Sequence, residues 1–161
     1  MSYVYDEKFM KRAIELSEEA SIIKKTGGVF GAVIVRDGVI IGEGSNHVVS
    51  ENDPTWHAEV AAIRDACKNV KAFDLKGAIL YTSAECCPMC LCAAYWANIG
   101  HIFYASHVED SLKYGGFKDV DFYQQMCKKK EDRRVGMTEK MRAEAVEVWK
   151  KFSEMPDRAR Y

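Results

Sequence analysis

The 161-residue chain is long enough to bury a core without staples, and its 48% hydrophobic and 29% charged residues are those of an ordinary globular protein. With 23 basic against 24 acidic residues the net charge is −1, which argues against a strongly electrostatic nucleic-acid binder. No apolar run approaches the roughly 20 residues of a membrane span, and the start, Met1 to Glu7, lacks the basic and apolar regions of a signal peptide, so a cytoplasmic protein is expected.

The first predicted helix runs from about Asp6 to Lys25. Phe9, Ala13, Leu16, Ala20 and Ile23 mark its buried face, Asp6 caps it and Gly27-Gly28 ends it. Phe30 to Arg36 and Val39 to Gly44 are two β-branched runs around Asp37-Gly38, a strong hairpin signal. Asn46 follows the second strand; its amide can donate and accept, which suits the edge of a heterocycle, although a plain turn residue is the commoner reading. His47 has no partner at metal-ligand spacing. A helix then starts near Trp56 or His57 and runs to about Asn69. Ala78 to Ser83 is nearly continuously apolar, as in a central strand covered on both faces. Pro88 opens a further helix toward Gly100, and His101 to Ala105 is a fourth strand. This alternation predicts a three-layer α/β domain with parallel strands. Beyond Ser106 a short helix, an ambiguous stretch from Phe117 to Cys127, the charge run Lys128 to Arg134 and a last helix from Thr138 to about Glu154 are expected.

Four of the six cysteines, Cys86, Cys87, Cys90 and Cys92, fall within one short stretch. A disulfide framework would spread them, so the cluster reads as metal binding. His57 and Glu59 stand two apart and share no helix face; they serve one site only off a helix N-terminus. Cys87 and Cys90 flank Pro88 at the start of the next helix. Two helix N-termini therefore converge, and their partial positive charge favours thiolates. Zinc held by His57, Cys87 and Cys90 keeps a fourth position for water, whose pKa it lowers to about 7. Glu59 is the proton shuttle: hydrolytic deamination takes a proton from water and gives protons to a ring nitrogen and to the departing amine. His-x-Glu followed by Pro-Cys-x-x-Cys is the signature of the zinc deaminases. Here Cys86 stands where the proline before the first ligand cysteine is usual. The alternative is a closed structural zinc with Cys86 or Cys92 as fourth ligand, and the same ligands also tolerate iron.

Across Gly27–Val35, Asn52–Thr55, His57–Val60, Leu80–Ser83, Pro88–Leu91, Tyr95–Ala97, Gly116-Phe117 and Tyr161 the chain resembles the cytidine-deaminase-like superfamily, most of all its bacterial guanine deaminases. The resemblance implies an α/β/α fold around a mixed sheet of about five strands. It implies a zinc enzyme converting guanine to xanthine and ammonia, and a homodimer whose C-terminal segment, 135–161, crosses to the partner. Residues 1–161 would form one zinc deaminase domain. By position, Phe30 would stack on the purine, Asn46 would bond its edge beside the Ala58 amide, Trp96 would pack against the ring, Asp119 would hold its polar groups, and Tyr161 would cap the pocket in trans. Asp121 rivals Asp119, because Lys118 replaces the usual second acid. Val29 stands for a common proline, and Trp56 for a small residue. Guanosine, ammeline or a pterin are alternative substrates. A tRNA adenosine deaminase is another, but the last helix balances Lys140, Arg142, Lys150 and Lys151 with Glu139, Glu144, Glu147 and Glu154, so no nucleic-acid or membrane partner is expected.

Overall fold

The structure is a computed structural model and describes residues 3–160, so Tyr161 lies outside the described residues. The chain divides into two units, one ending at Tyr123 and one beginning at Gln124.

In the first unit helix α1 (Glu7–Glu18) starts at Asp6, whose carboxylate accepts from the Lys8 amide, and runs on into one π turn, Glu19–Ile23. Phe9, Ala13, Leu16 and Ala20 are buried as their spacing predicts, whereas Ile23 is 67% exposed. The wider π turn rotates it off the stripe. Strands β1 (Gly31–Arg36) and β2 (Val39–Ser45) form the expected hairpin. Asp37 and Gly38 both take positive φ, 53° and 75°, as such a two-residue turn requires. A short helix α2 (Val48–Glu51) and helix α3 (Ala58–Val70) follow, then β3 (Ile79–Ala84), α4 (Pro88–Trp96) and β4 (His101–Ser106). A brief α5 (Val108–Asp110) passes into a π turn, Ser111–Gly115, and α6 (Asp119–Cys127) resolves the stretch that the sequence leaves ambiguous.

The sheet order is β2-β1-β3-β4. Only β3 and β4 are parallel; β1 runs antiparallel to both of its neighbours. Two expectations are corrected here. The sheet is mixed, as the family resemblance implies and not parallel as the alternation of elements alone predicts, because the hairpin reverses the chain before the first crossover. Among the described residues it has four strands, not about five. The segment expected to supply the fifth, Arg133 to Thr138, is irregular, and its Arg-Arg-Val-Gly-Met run has little β character.

The layers follow from alternation along β1. Val33 and Val35 pack with Tyr81 against Phe9, Met10 and Leu16 of α1. Ala32 and Ile34 face the other way, with Leu80, into Ala58, Ala62 and Ala66 of α3 and Cys90 and Ala94 of α4. Helix α3 lies very close to β2 because small residues meet there. A Cβ on Gly44 would run into the Ala58 carbonyl oxygen and the Ala62 amide, and one on Gly42 would run into Ala62 and Ala66. This close packing fixes the N-terminus of α3 over the sheet.

The second unit holds one helical turn, Lys130–Asp132, and helix α7 (Arg142–Glu154), on which Val148 and Trp149 are exposed. Among the described residues no helix is long and apolar enough to cross a membrane.

Candidate active site

His57 is the N-cap of α3 and Cys87 the N-cap of α4, with Pro88 in the first position of that helix. Neither side chain caps its own helix, so both turn toward each other. His57 Nδ1 lies 3.6 Å from the Cys87 sulfur and 3.5 Å from the Cys90 sulfur. Tetrahedral zinc with N and S bonds of about 2.0 and 2.3 Å separates such atoms by about 3.6 Å. The three residues therefore fit zinc as they stand, with a fourth direction left open. Cys86 does not belong to this group. It is buried among core residues, and its carbonyl oxygen accepts from the Tyr123 hydroxyl at 2.6 Å. Cys92 is exposed on α4. A closed four-ligand site thus has no fourth ligand among the described residues.

The electrostatics of the group are those of a shared negative charge. The Cys87 thiol is pulled well below its ordinary value, first by the hydrogen bond from Cys90 and then by His57. Cys90 is pushed up by the same bond and by burial. His57 is raised, chiefly by its hydrogen bond to Cys87. Glu59, only 3% exposed, sits in the first turn of α3 with Oε2 3.4 Å from the Cys90 sulfur, and burial raises its carboxyl above the usual range.

Beside these residues lies a cavity of about 450 Å³, within the range of small-molecule sites. His57, Glu59 and Cys87 line it, together with Phe30, Asn46, Glu85, Phe117 and Asp119. Asn46 is buried, and its Oδ1 accepts from the amides of Gly28 at 3.1 Å and Val48 at 3.2 Å. The amide cannot be reversed, because its NH₂ would then face two N–H groups. Asn46 therefore offers the cavity a donor only. Asp119, the first residue of α6, is held up by burial. Asp119 lines the cavity; Asp121 is not among the lining residues.

Two residues that sequence reasoning passed over complete the walls. Phe117 meets Phe30 edge-on, with ring centroids 5.0 Å apart at 72°. Both rings close over Gly28, where a Cβ would stand 2.8 Å from Phe30 and 2.9 Å from Phe117. Glu85 follows the C-terminal end of β3, the end at which ligands gather in α/β sheets. Its position beside the cysteine cluster was the available signal.

Other expected residues stand elsewhere. Ala58 is buried in the first turn of α3, where backbone amides lack intrahelical partners. Trp96, expected at the ring, does not line the cavity. It is the last residue of α4, at the end away from Cys87 and Cys90, and is 69% exposed. Trp56 does not narrow the cavity either. Its ring lies 6.0 Å from that of His47, in a separate hollow lined by Leu16, Glu43 and Asp65. His47 itself lies 3.2 Å from each of the Ser45 and Ser50 hydroxyls and takes no part in the metal group.

Residues 4–106 match the family described as cytidine and deoxycytidylate deaminase zinc-binding region. The chain belongs to this deaminase family. Guanine deaminase from Bacillus subtilis is 46% identical over 152 residues, which cover 91% of this chain and 95% of that protein. The crystal structure of guanine deaminase from Bacillus subtilis superposes with a TM-score of 0.92 at 42% identity, over 98% of this chain and 99% of that one. The tRNA-specific adenosine deaminase of Haemophilus influenzae is 37% identical over 103 residues, which cover 63% of this chain and 58% of that protein. The His57, Glu59, Cys87 and Cys90 constellation lies wholly within the family match, so the chain is an enzyme of the deaminase class.

Proposed function

We propose that the protein is a zinc-dependent aminohydrolase of a purine base, converting guanine and water to xanthine and ammonia. One observation carries the reading: likeness to a guanine deaminase runs through 91% of the chain, whereas likeness to the tRNA deaminase covers 63%. The cavity supports it with an aromatic wall, a fixed donor at Asn46 and carboxyl groups at Glu59 and Asp119.

His57, Cys87 and Cys90 would hold the zinc, which would supply a water that is acidic near neutral pH. Glu59 moves the protons. It takes one from the water as the water oxygen bonds to C2 of the purine, and passes it to the adjacent ring nitrogen. It then takes the remaining proton from the new C2 hydroxyl and delivers it to the amine, so that the C2 carbonyl forms as the C2–N bond breaks and ammonia leaves. Its burial suits this task, because burial raises the carboxyl above the ordinary carboxylate range and so lets it hold a proton that it later gives up. Phe30 presents a stacking face, Asn46 donates to an acceptor on the base, and Asp119 takes an N–H.

The protein works as a cytoplasmic homodimer. Helix α4, apolar on every side, leaves Tyr95 and Trp96 exposed at 70% and 69%, and such surface favours a second copy. The segment 135–161 crosses to the partner, and Trp96 then serves at the interface or at the partner's pocket; the Tyr161 expected to cap that pocket lies outside the described residues. An ammonia-release screen across guanine, guanosine, ammeline, pterins, cytosine, cytidine and an adenosine-containing tRNA loop tests the substrate. Turnover confined to any compound other than guanine overturns the reading.

A further inference from the structure

We propose that Glu85 is a further substrate-binding residue, accepting a hydrogen bond from an N–H of the bound heterocycle; this rests on the purine-deaminase reading above. Glu85 continues the line of β3 by one residue, and its amide donates to the Ser106 carbonyl at 2.8 Å. That bond holds its backbone at the mouth of the parallel β3–β4 pair. Its side chain reaches toward the next loop, where Oε2 accepts from the Val108 amide at 3.4 Å and stands 4.0 Å from His107 Nδ1. One oxygen thus anchors the carboxyl. Among the described residues none donates to the other oxygen, and the residue lines the cavity beside Glu59, Cys87 and Asp119.

The polarity of the walls gives this oxygen a task. Asn46 shows the cavity a donor, since its oxygen is held by Gly28 and Val48. Glu59 is engaged in proton transfer next to the metal ligands. The acceptors left for binding are Asp119 and Glu85. A heterocycle in this cavity must set an acceptor against Asn46 and N–H donors against Asp119 and Glu85. A 2-amino-6-oxopurine meets both demands, with carbonyl and bare ring-nitrogen acceptors and N–H groups on both of its rings. A purine without an N–H for each acid leaves one of them unpaired in a partly dry site, which weakens its binding.

The plain alternative is that Glu85 only staples the loop through Val108. Glu85→Gln separates the two roles, because its amide oxygen still accepts from Val108 while its other atom becomes a donor. We expect E85Q to raise KM for guanine about 10-fold or more, the effect of one unpaired polar contact, while kcat moves less and zinc content and Tm hold. Glu85→Ala, which loses both bonds, should raise KM similarly and also lower Tm. A wild-type KM in E85Q overturns the proposal. So does a loss of zinc or Tm in E85Q that accounts for its lost activity. Wild-type protein that releases no ammonia from guanine removes the functional reading and this inference together, whereas an indifferent E85Q removes this inference alone.

Discussion

The Glu59 carboxylate oxygen lies 3.4 Å from the Cys90 sulfur, both side chains are buried, and the same sulfur lies 3.5 Å from His57 Nδ1. This puts the only titratable carboxyl of α3's first turn against the metal ligands without making it one of them. Glu59→Gln keeps the shape and the Cys90 contact but cannot carry protons. Its ammonia release should fall by about 10²–10⁴-fold, the usual worth of a positioned general acid–base. Zinc per chain, measured by elemental analysis, should not change. A variant with near wild-type turnover would remove Glu59 from the proton path.

Cys86 and Cys87 are neighbours in one buried cluster, but only Cys87 belongs to the metal group, and they should respond oppositely. Cys87→Ser removes a ligand whose sulfur stands 3.6 Å from His57 Nδ1, so zinc should be lost and Tm should drop. Cys86→Ala deletes a small buried group of the same cluster and its hydrogen bond with Glu59. It should cost about 1 kcal/mol and leave one zinc per chain. Loss of zinc from C86A would show a closed site with Cys86 as its fourth ligand instead.

Much of this arrangement was legible in the sequence because its causes are local. Asp6 capping α1, Asp37-Gly38 turning the hairpin and Pro88 opening α4 each follow from the conformational preferences of one or two residues. The metal group was legible too, since His57-x-Glu59 and Cys87-x-x-Cys90 form a recognisable pattern in the chain, although only the packing of α3 and α4 on the sheet brings them together. The four-strand limit and the pairing of β1 with β3 were not, because such pairing depends on partners distant in sequence. Phe117 and Glu85 were missed for the same reason. Nothing near Phe117 in sequence announces Phe30 as its neighbour, and Glu85 gains its place only when β4 and the Val108 amide come alongside.

The contact between β2 and α3 predicts a case where stability and activity fall together. Gly44 faces the backbone of Ala58 and Ala62, atoms that cannot swing aside as a flexible side chain would. Gly44→Ala should therefore destabilise the fold by about 1–3 kcal/mol through overpacking. Because α3 carries His57 and Glu59 at its start, the same shift should weaken zinc binding. Thermal unfolding and zinc titration on the purified variant check both effects; an unchanged Tm would mean that the helix has room to move.

Gly28 should behave differently, since its neighbours are rings rather than backbone. A methyl group there meets Phe30 at 2.8 Å and Phe117 at 2.9 Å, and both rings border the open cavity into which they can turn. Gly28→Ala should leave Tm within about 1 kcal/mol of wild type, as expected where no core packing is lost. The displaced rings should raise KM for the base several-fold. Steady-state kinetics beside a melting curve separates this from general damage; a fall in Tm without a rise in KM would place the strain in the fold instead.

Asn46 gives the sharpest test of how the cavity reads its ligand. Its Oδ1 is occupied by two backbone N–H groups, at 3.1 and 3.2 Å, which leaves the NH₂ as its contribution to the cavity. Asn46→Asp keeps both backbone bonds through one carboxylate oxygen and turns the other from donor to acceptor. A base acceptor facing it would then meet a like partner. An unpaired or opposed polar contact costs about 1–3 kcal/mol, which is about a 5- to 150-fold rise in KM. Asn46→Ala should lose the backbone bonds as well, so its Tm should fall where that of N46D holds. If N46D bound guanine as wild type does, Asn46 would be a structural residue of the β2–α2 turn, and the acceptor edge of the base would have to be read elsewhere.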